Sequence, residues 1–339
     1  MDLNLSEEQQ QLVDTFASLY AKESTGERVR AVEATGFDPA LWERLVETGV
    51  LEMAVDEASG GWGATLLDLS LVAEQHGRHL GSAPLIETQV AARLLARAAG
   101  GPALALLERA LAGTELVTFA LHQPSDGVLR LVPAGAVADT VVFFDDGRLL
   151  SAESRGAATA VANLGALPVA DVALGAPTEL AAGALAAESY QSAVDDWLAL
   201  MAGALTGLAR RAVEIGVDYV KERHAFGVLI GSFQAVAHGL ADAATAVDGA
   251  ELLSREAAWS AGEEAGRFRE LAALAFGFST DTARSSSYAS LHYHGGYGFM
   301  MEYDIQLYYR RAKAWPAQFG EPATAFARAE GRRLGMEVR

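Results

Sequence analysis

Residues 218–242 read DYVKERHAFGVLIGSFQAVAHGLAD. This stretch predicts the end of one long helix, a tight basic and aromatic turn, and the start of another helix. Upstream, Trp197, Met201, Leu205, Leu208, Ala212, Ile215 and Tyr219 follow steps of three and four, the helical period. Downstream, Phe233, Val236, Ala237, Leu240, Ala244 and Val247 do the same. Between them, Lys221-Glu222-Arg223-His224-Ala225-Phe226-Gly227 breaks the pattern. Ser232 is the expected N-cap of the second helix, because its hydroxyl can accept from the first unpaired backbone N–H groups. An arginine, an aromatic ring and a fresh helix N-terminus at one corner suit an anion. Taken alone, the same residues also describe a helical hairpin with an exposed arginine.

The chain around this corner has 339 residues, enough for two or three domains and a large core. It is 51% hydrophobic, yet no run approaches the length of a membrane span. The acidic opening MDLNLSEEQQQLVD reads as a helix and not as a signal peptide. There is no cysteine, which excludes disulfides, thiolate nucleophiles and Cys-ligated metals. A cytoplasmic protein is the expectation. A formal charge of −18 argues against nucleic acid and anionic membranes as partners, so an anionic cofactor would need a locally basic pocket.

Residues 1–113 read as all helix. Ser6 and Gln9 have capping-box spacing, and Phe37-Asp38-Pro39 opens another helix. A glycine cluster, Glu57-Ala58-Ser59-Gly60-Gly61-Trp62-Gly63, reads as a loop, and Leu66 to His79 is amphipathic. Residues 114–186 change period: Leu116–Leu121, Val128–Val132, Thr140–Phe144 and Val169–Leu174 predict four strands, with Asp145-Asp146-Gly147 as a turn. Residues 187–339 return to helix. A long helix from Arg267 to Leu291 leads into His292-Tyr293-His294-Gly295-Gly296-Tyr297-Gly298, and a last helix follows Asp304. Glycines there let a backbone approach a ligand closely. His292 and His294 lack the third ligand or carboxylate cluster that a metal site needs.

In one register, Tyr219, Arg223, Phe226, Gly227, Ile230, Phe233, Gln234, His238, Leu240, Ala241 and Asp242 resemble the Y-x-x-x-R-x-x-F-G-x-x-I-x-x-F-Q-x-x-x-H-x-L-A-D signature of the acyl-CoA dehydrogenase family. Glu57–Gly63 resembles that family's E-x-x-G-G-x-G loop, Glu74–Arg78 its E-x-x-G-R, and His292–Glu302 its Q-x-x-G-G-x-G-x-x-x-E. The resemblance implies a mostly α fold with a small central β domain, in the order α–β–α, ending in a four-helix bundle. It implies FAD as cofactor and α,β-desaturation of an acyl-CoA thioester. It nominates Arg223, Phe226, Gln234, His292, Gly295 and Gly296 to hold the adenine and pyrophosphate of an FAD bound mainly by a neighbouring subunit. His292 stands where the family usually has Gln.

Two departures carry as much weight. The family cradles the flavin ring through T-E-P-x-x-G-S-D and I-T-N-x-x-x-A-D segments. Here Leu121–Gly127 keeps only Pro124 of the first, and Val132–Asp139 keeps only Ala138-Asp139 of the second. The family's catalytic carboxylate sits at one of two positions, which fall here at Phe319 and Trp197. Asp195, Asp196 and Glu321 are nearby carboxylates, but an offset of one residue on a helix turns a side chain by about 100°. The implied protein is a base-lacking subunit that completes the FAD site of a homologous, base-carrying partner. Heteromeric α2β2 dehydrogenases of actinobacterial steroid side-chain degradation have such a subunit. The alternatives are a self-sufficient homotetramer with a displaced base, and a non-catalytic scaffold on the same fold.

Overall fold

The computed structural model describes residues 4–334; Met1–Leu3 of the acidic opening and residues 335–339 of the C-terminal segment lie outside it. Six helices come first: α1 Glu7–Glu23, α2 Gly26–Ala31, α3 Pro39–Glu47, α4 Leu66–Arg78, α5 Leu85–Ala98 and α6 Gly101–Leu111. Seven strands follow: β1 Val117–Phe119, β2 Val128–Val132, β3 Thr140–Asp145, β4 Arg148–Glu153, β5 Ala158–Ala160, β6 Ala170–Ala173 and β7 Thr178–Ala182. Then come α7 Gly183–Glu222, a hairpin of β8 His224–Ala225 and β9 Val228–Leu229, α8 Gln234–Glu263, α9 Ala265–His294, α10 Ile305–Ala317 and α11 Pro322–Arg333. The order is α–β–α, as the sequence predicts.

Packing groups the described chain into two units. One unit takes Arg30–Leu69 and Ser82–Leu198; the other takes the chain up to Val29, Ser70–Gly81, and Ala199 onward. In the first, β1, β3, β4 and β7 form one sheet in the order β1-β3-β4-β7, and β2-β6-β5 form another. Leu129, Val132, Val141, Phe143, Leu150 and Val172 from both sheets share one core. Helix α5, LIETQVAARLLARA, is buried along nearly its whole length although it carries Glu87, Arg93 and Arg97. Asp38 caps α3 with Pro39 at its first position, as its sequence dictates.

In the second unit, α7 to α10 build the helical bundle. Helix α4 lies against α7 where side chains vanish: a Cβ on Gly77 would stand 1.8 Å from the Ala204 carbonyl oxygen, and one on Gly207 would stand 1.9 Å from the Glu74 carbonyl oxygen. Backbone approach this close tolerates only glycine. Charged pairs ring the bundle: Arg78 grips Glu214 through two bonds of 2.9 and 2.7 Å, and Arg255 pairs with Glu251 at 2.6 Å. The capping box of α1, Ser6 with Gln9, is present in both directions.

Four differences from the sequence reading have physical causes. Helix α8 starts at Gln234, so Phe233 and not Ser232 is its N-cap; the Ser232 hydroxyl instead donates to the Leu229 carbonyl within a short 3-10 turn. The corner is a two-stranded hairpin and not a bare turn. Strands β4, β5 and β7 are additions to the four predicted: ATA and TELAA are short and alanine-rich, RLLSAE has no β-branched or aromatic residue, and each pairs with a neighbour. A further helix, α11, follows α10.

Candidate functional site

The corner is built by two left-handed residues. Phe226 and Gly227 have φ of +55° and +84°, which close a two-residue turn between paired Ala225 and Val228. Glycine accepts this region freely, but a phenylalanine does so at a cost, and such strain accumulates where function holds it. Phe226 is 97% exposed and touches Phe233 edge-on, with ring centroids 6.3 Å apart. The hairpin fixes Arg223 at the end of α7, where its carbonyl accepts from the Ile230 N–H at 2.8 Å.

A stack of rings ties this corner to the end of α9. Tyr219, one turn before Arg223, lies face to face with His294 at 3.9 Å between centroids. Its hydroxyl donates to the His294 carbonyl at 3.4 Å. His294 contacts Ser290 through Nδ1 at 2.7 Å; because a carbonyl only accepts, Nδ1 carries the proton. Burial lowers the His294 pKa and raises that of Tyr219, so both rings stay neutral near pH 7. Gly295 follows at φ +59°, and nothing lies within 4 Å of a Cβ built on Gly295 or on Gly296. The loop therefore presents bare backbone to open space.

Arg223 leans over this loop, its guanidinium carbon 5.5 Å from the Tyr297 ring centroid. No carboxylate pairs with it among the described residues, whereas Arg78, Arg93, Arg97, Arg210, Arg255 and Arg284 all have acidic partners. The N-terminus of α8, which Gln234 opens, has no side-chain cap. An unneutralised guanidinium beside a glycine-rich loop has the chemistry to take a phosphate-like anion. Among the nominated residues, Arg223 and the Gly295–Gly296 loop are brought together through Tyr297, and Gln234 stands exposed at the start of α8. Phe226 reaches out beyond them. His292 is exposed and packs its ring on Tyr288 and Tyr293, not on Arg223.

The segments that would cradle a flavin ring are spent on local structure. Asp126 and Gly127, with φ of +53° and +72°, form a tight turn whose ends, Ser125 and Val128, exchange two backbone hydrogen bonds of 3.0 Å. Asp139 accepts from the Leu116 N–H at 2.9 Å and pairs with Arg155, which anchors the start of β1.

Both base positions hold packed rings. Trp197 is wholly buried. Phe319 meets Phe276 edge-on at 5.4 Å. The neighbouring carboxylates are committed elsewhere. Burial alone would raise the pKa of Asp196, but Arg93 and Arg97, each 2.7 Å away, more than offset it and hold the carboxyl below its ordinary value. Asp195 is buried beside it. Glu321 is 69% exposed, and its hydrogen bond to Arg284 keeps it ionised. The carboxyl that stands out is one the motifs did not indicate. Glu87, in the first turn of α5, is buried near the Trp197 indole, and desolvation pushes its pKa up to about 7. Its signal in the sequence is a lone acid in a helix rich in leucine and alanine.

Comparison with known proteins identifies the family. The acyl-CoA dehydrogenase N-terminal domain matches residues 6–116 and the C-terminal domain matches residues 192–322, flanking the β strands. The acyl-CoA dehydrogenase IpdE2 of Mycolicibacterium smegmatis is 31% identical over 338 residues, covering 98% of this chain and 100% of its own length. The ChsE4-ChsE5 complex from Mycobacterium tuberculosis superposes with a TM-score of 0.88 at 25% identity, over the full length of both chains. The Tcur3481-Tcur3483 steroid ACAD G363A variant shares the fold, with a TM-score of 0.87 at 24% identity over 97% of this chain and 98% of that one. The chain thus belongs to the acyl-CoA dehydrogenase family, FAD-dependent oxidoreductases acting on CH–CH bonds.

Proposed function

We propose that this chain is the base-lacking subunit of a heteromeric acyl-CoA dehydrogenase, and that it completes the FAD site of a homologous partner subunit in an α2β2 assembly. The observation that carries this is Arg223, an exposed cation with no acidic partner among the described residues, set against Tyr297 of the glycine loop in a chain of net charge −18. A cofactor's pyrophosphate is the anion it suits. Arg223, Gln234, Gly295 and Gly296 hold the adenosine diphosphate half, and Phe226 and His292 flank it. Around them, Phe226, Phe299 and Met301 lie more than half exposed, as expected of side chains that a second subunit covers.

The reaction removes an α proton from an acyl-CoA thioester, and FAD, when bound, would supply the acceptor for the β hydride. A base is needed within reach of the α carbon. Trp197 and Phe319 cannot serve, and Asp196 and Glu321 are held ionised by arginines. The partner supplies the base and the flavin-ring contacts. The steroid ACAD and the two-component ChsE4-ChsE5 complex among the similar structures support a steroid side-chain CoA ester as substrate. No helix among the described residues is long and apolar enough to cross a membrane, which is compatible with work in the cytoplasm.

Native mass spectrometry of the complex purified from the source cells tests this. Equal numbers of this chain and a homologous dehydrogenase subunit are expected; an active assembly of this chain alone contradicts it. One observation favours a second possibility. Glu87, with its pKa near 7 beside Trp197, is the carboxyl that a self-sufficient enzyme with a displaced base would use. Glu87→Gln should leave turnover of the complex unchanged, and a collapse would make Glu87 the base.

A further inference from the structure

We propose that Tyr297 is a positioning residue that holds Arg223 where the FAD pyrophosphate meets it. This rests on Arg223 being the pyrophosphate ligand. Tyr297 is the residue inside the glycine loop whose side chain faces the arginine: the guanidinium carbon lies 5.5 Å from its ring centroid, within the range of a cation–π contact. Arg223 needs such a holder. It is exposed, it has no carboxylate partner among the described residues, and its long side chain has many rotamers to lose on binding.

The Tyr297 ring is itself fixed from behind. It packs on Tyr303 at 5.6 Å, and Tyr303 meets both Tyr219 and His294 edge-on at 6.4 and 5.9 Å. Tyr219 and His294 close the cluster with their face-to-face stack. Three segments thus meet: the end of α7, the end of α9, and the loop into α10. The Arg223 N–H, just past the end of α7, donates to the Tyr219 carbonyl at 2.9 Å, so the stack that clamps Tyr219 also sets the root of Arg223. An aromatic face suits the task better than a carboxylate. It orients the cation without neutralising it, and so leaves its charge for the phosphates.

The test is a double-mutant cycle on the FAD-loaded complex, read as the FAD dissociation constant from flavin fluorescence on dilution. Tyr297 is 42% exposed, so its replacement leaves the core intact, and thermal melting of each variant checks this. Tyr297→Ala and Tyr297→Leu should each weaken FAD binding about two- to fivefold, the size of an exposed cation–π contact. Tyr297→Phe keeps the ring face and should restore wild-type affinity. With Arg223→Ala already present, Tyr297→Ala should weaken binding no further. Additive losses would overturn the proposal, because Tyr297 would then touch FAD directly. So would an unchanged affinity in Tyr297→Ala while Arg223→Ala weakens binding. If Arg223→Ala itself changes nothing, the failure lies with the assignment of Arg223 and not with Tyr297.

Discussion

Asp196 lies within α7 and Arg223 immediately follows its last residue, and the two are treated in opposite ways. Asp196 is wholly buried, and two arginines from α5 meet its charge. Its neighbour Trp197 fills the position where the family places a base. Arg223, just past the end of the helix, is exposed and has the Tyr297 ring of the glycine loop for company in place of a carboxylate. Charges that serve the fold are neutralised inside the chain, because a buried uncompensated charge is costly. A charge that serves a ligand is left uncompensated, because the ligand brings the counter-charge. On the proposed reading, the difference separates a charge kept for the fold from one kept for the cofactor.

The sharpest way to break the comparison is at Asp196. If its charge serves only the fold, Asp196→Asn should destabilise the chain by about 3 kcal/mol, read as a lower denaturant midpoint, and leave turnover per folded complex unchanged. Loss of turnover without loss of stability would move Asp196 into the chemistry.

Glu87 sharpens the same contrast through pH. Its folded pKa of about 7 lies above the ordinary 4.5, so in that window the folded chain keeps a proton that the unfolded chain has lost. Its contribution is fully present below pH 4.5 and is lost as pH rises through 7, to a cost of at most about 3 kcal/mol by pH 8. Glu87→Gln should therefore melt higher than wild type at pH 8 and close to it at pH 4.5. His76, held neutral by burial with a pKa of about 3, acts in the opposite sense, losing stability as pH falls below 6.5. It is present in both proteins, so the difference between them isolates Glu87.

At the retained end, Arg223→Ala should weaken FAD binding about 10- to 100-fold, the range for a charge-assisted bond to phosphate, with little change in melting temperature of the apoprotein. The smallest effect belongs to Glu321→Gln. Its exposed pair with Arg284 should be worth less than about 0.5 kcal/mol, and turnover should not move.

Much of this was legible in residue order. The helical period on both sides of the corner, the Ser6–Gln9 box and the Asp38-Pro39 start are local signals, and local structure follows them. The substitutions at Trp197 and Phe319 needed only counting from a motif. What stayed hidden depends on distance or on pairing. Nothing near Asp196 in sequence announces Arg93 and Arg97, about a hundred positions earlier. The left-handed turn at Phe226 contradicts the preference of the residue itself. Ala158–Ala160 is a strand only because Ala170–Ala173 lies beside it. The Tyr219–His294 stack joins residues 75 apart, and the hold of Tyr297 on Arg223 appears only once both helix ends are placed.

The most direct measurement is flavin content per chain by visible absorbance, taken on this protein purified alone and on the complex with its homologous subunit. A retained adenosine diphosphate half with a lost ring half predicts no flavin in the lone chain and stoichiometric FAD in the complex. A lone chain that purifies with a full complement of FAD would contradict the account, and would direct attention to Glu87.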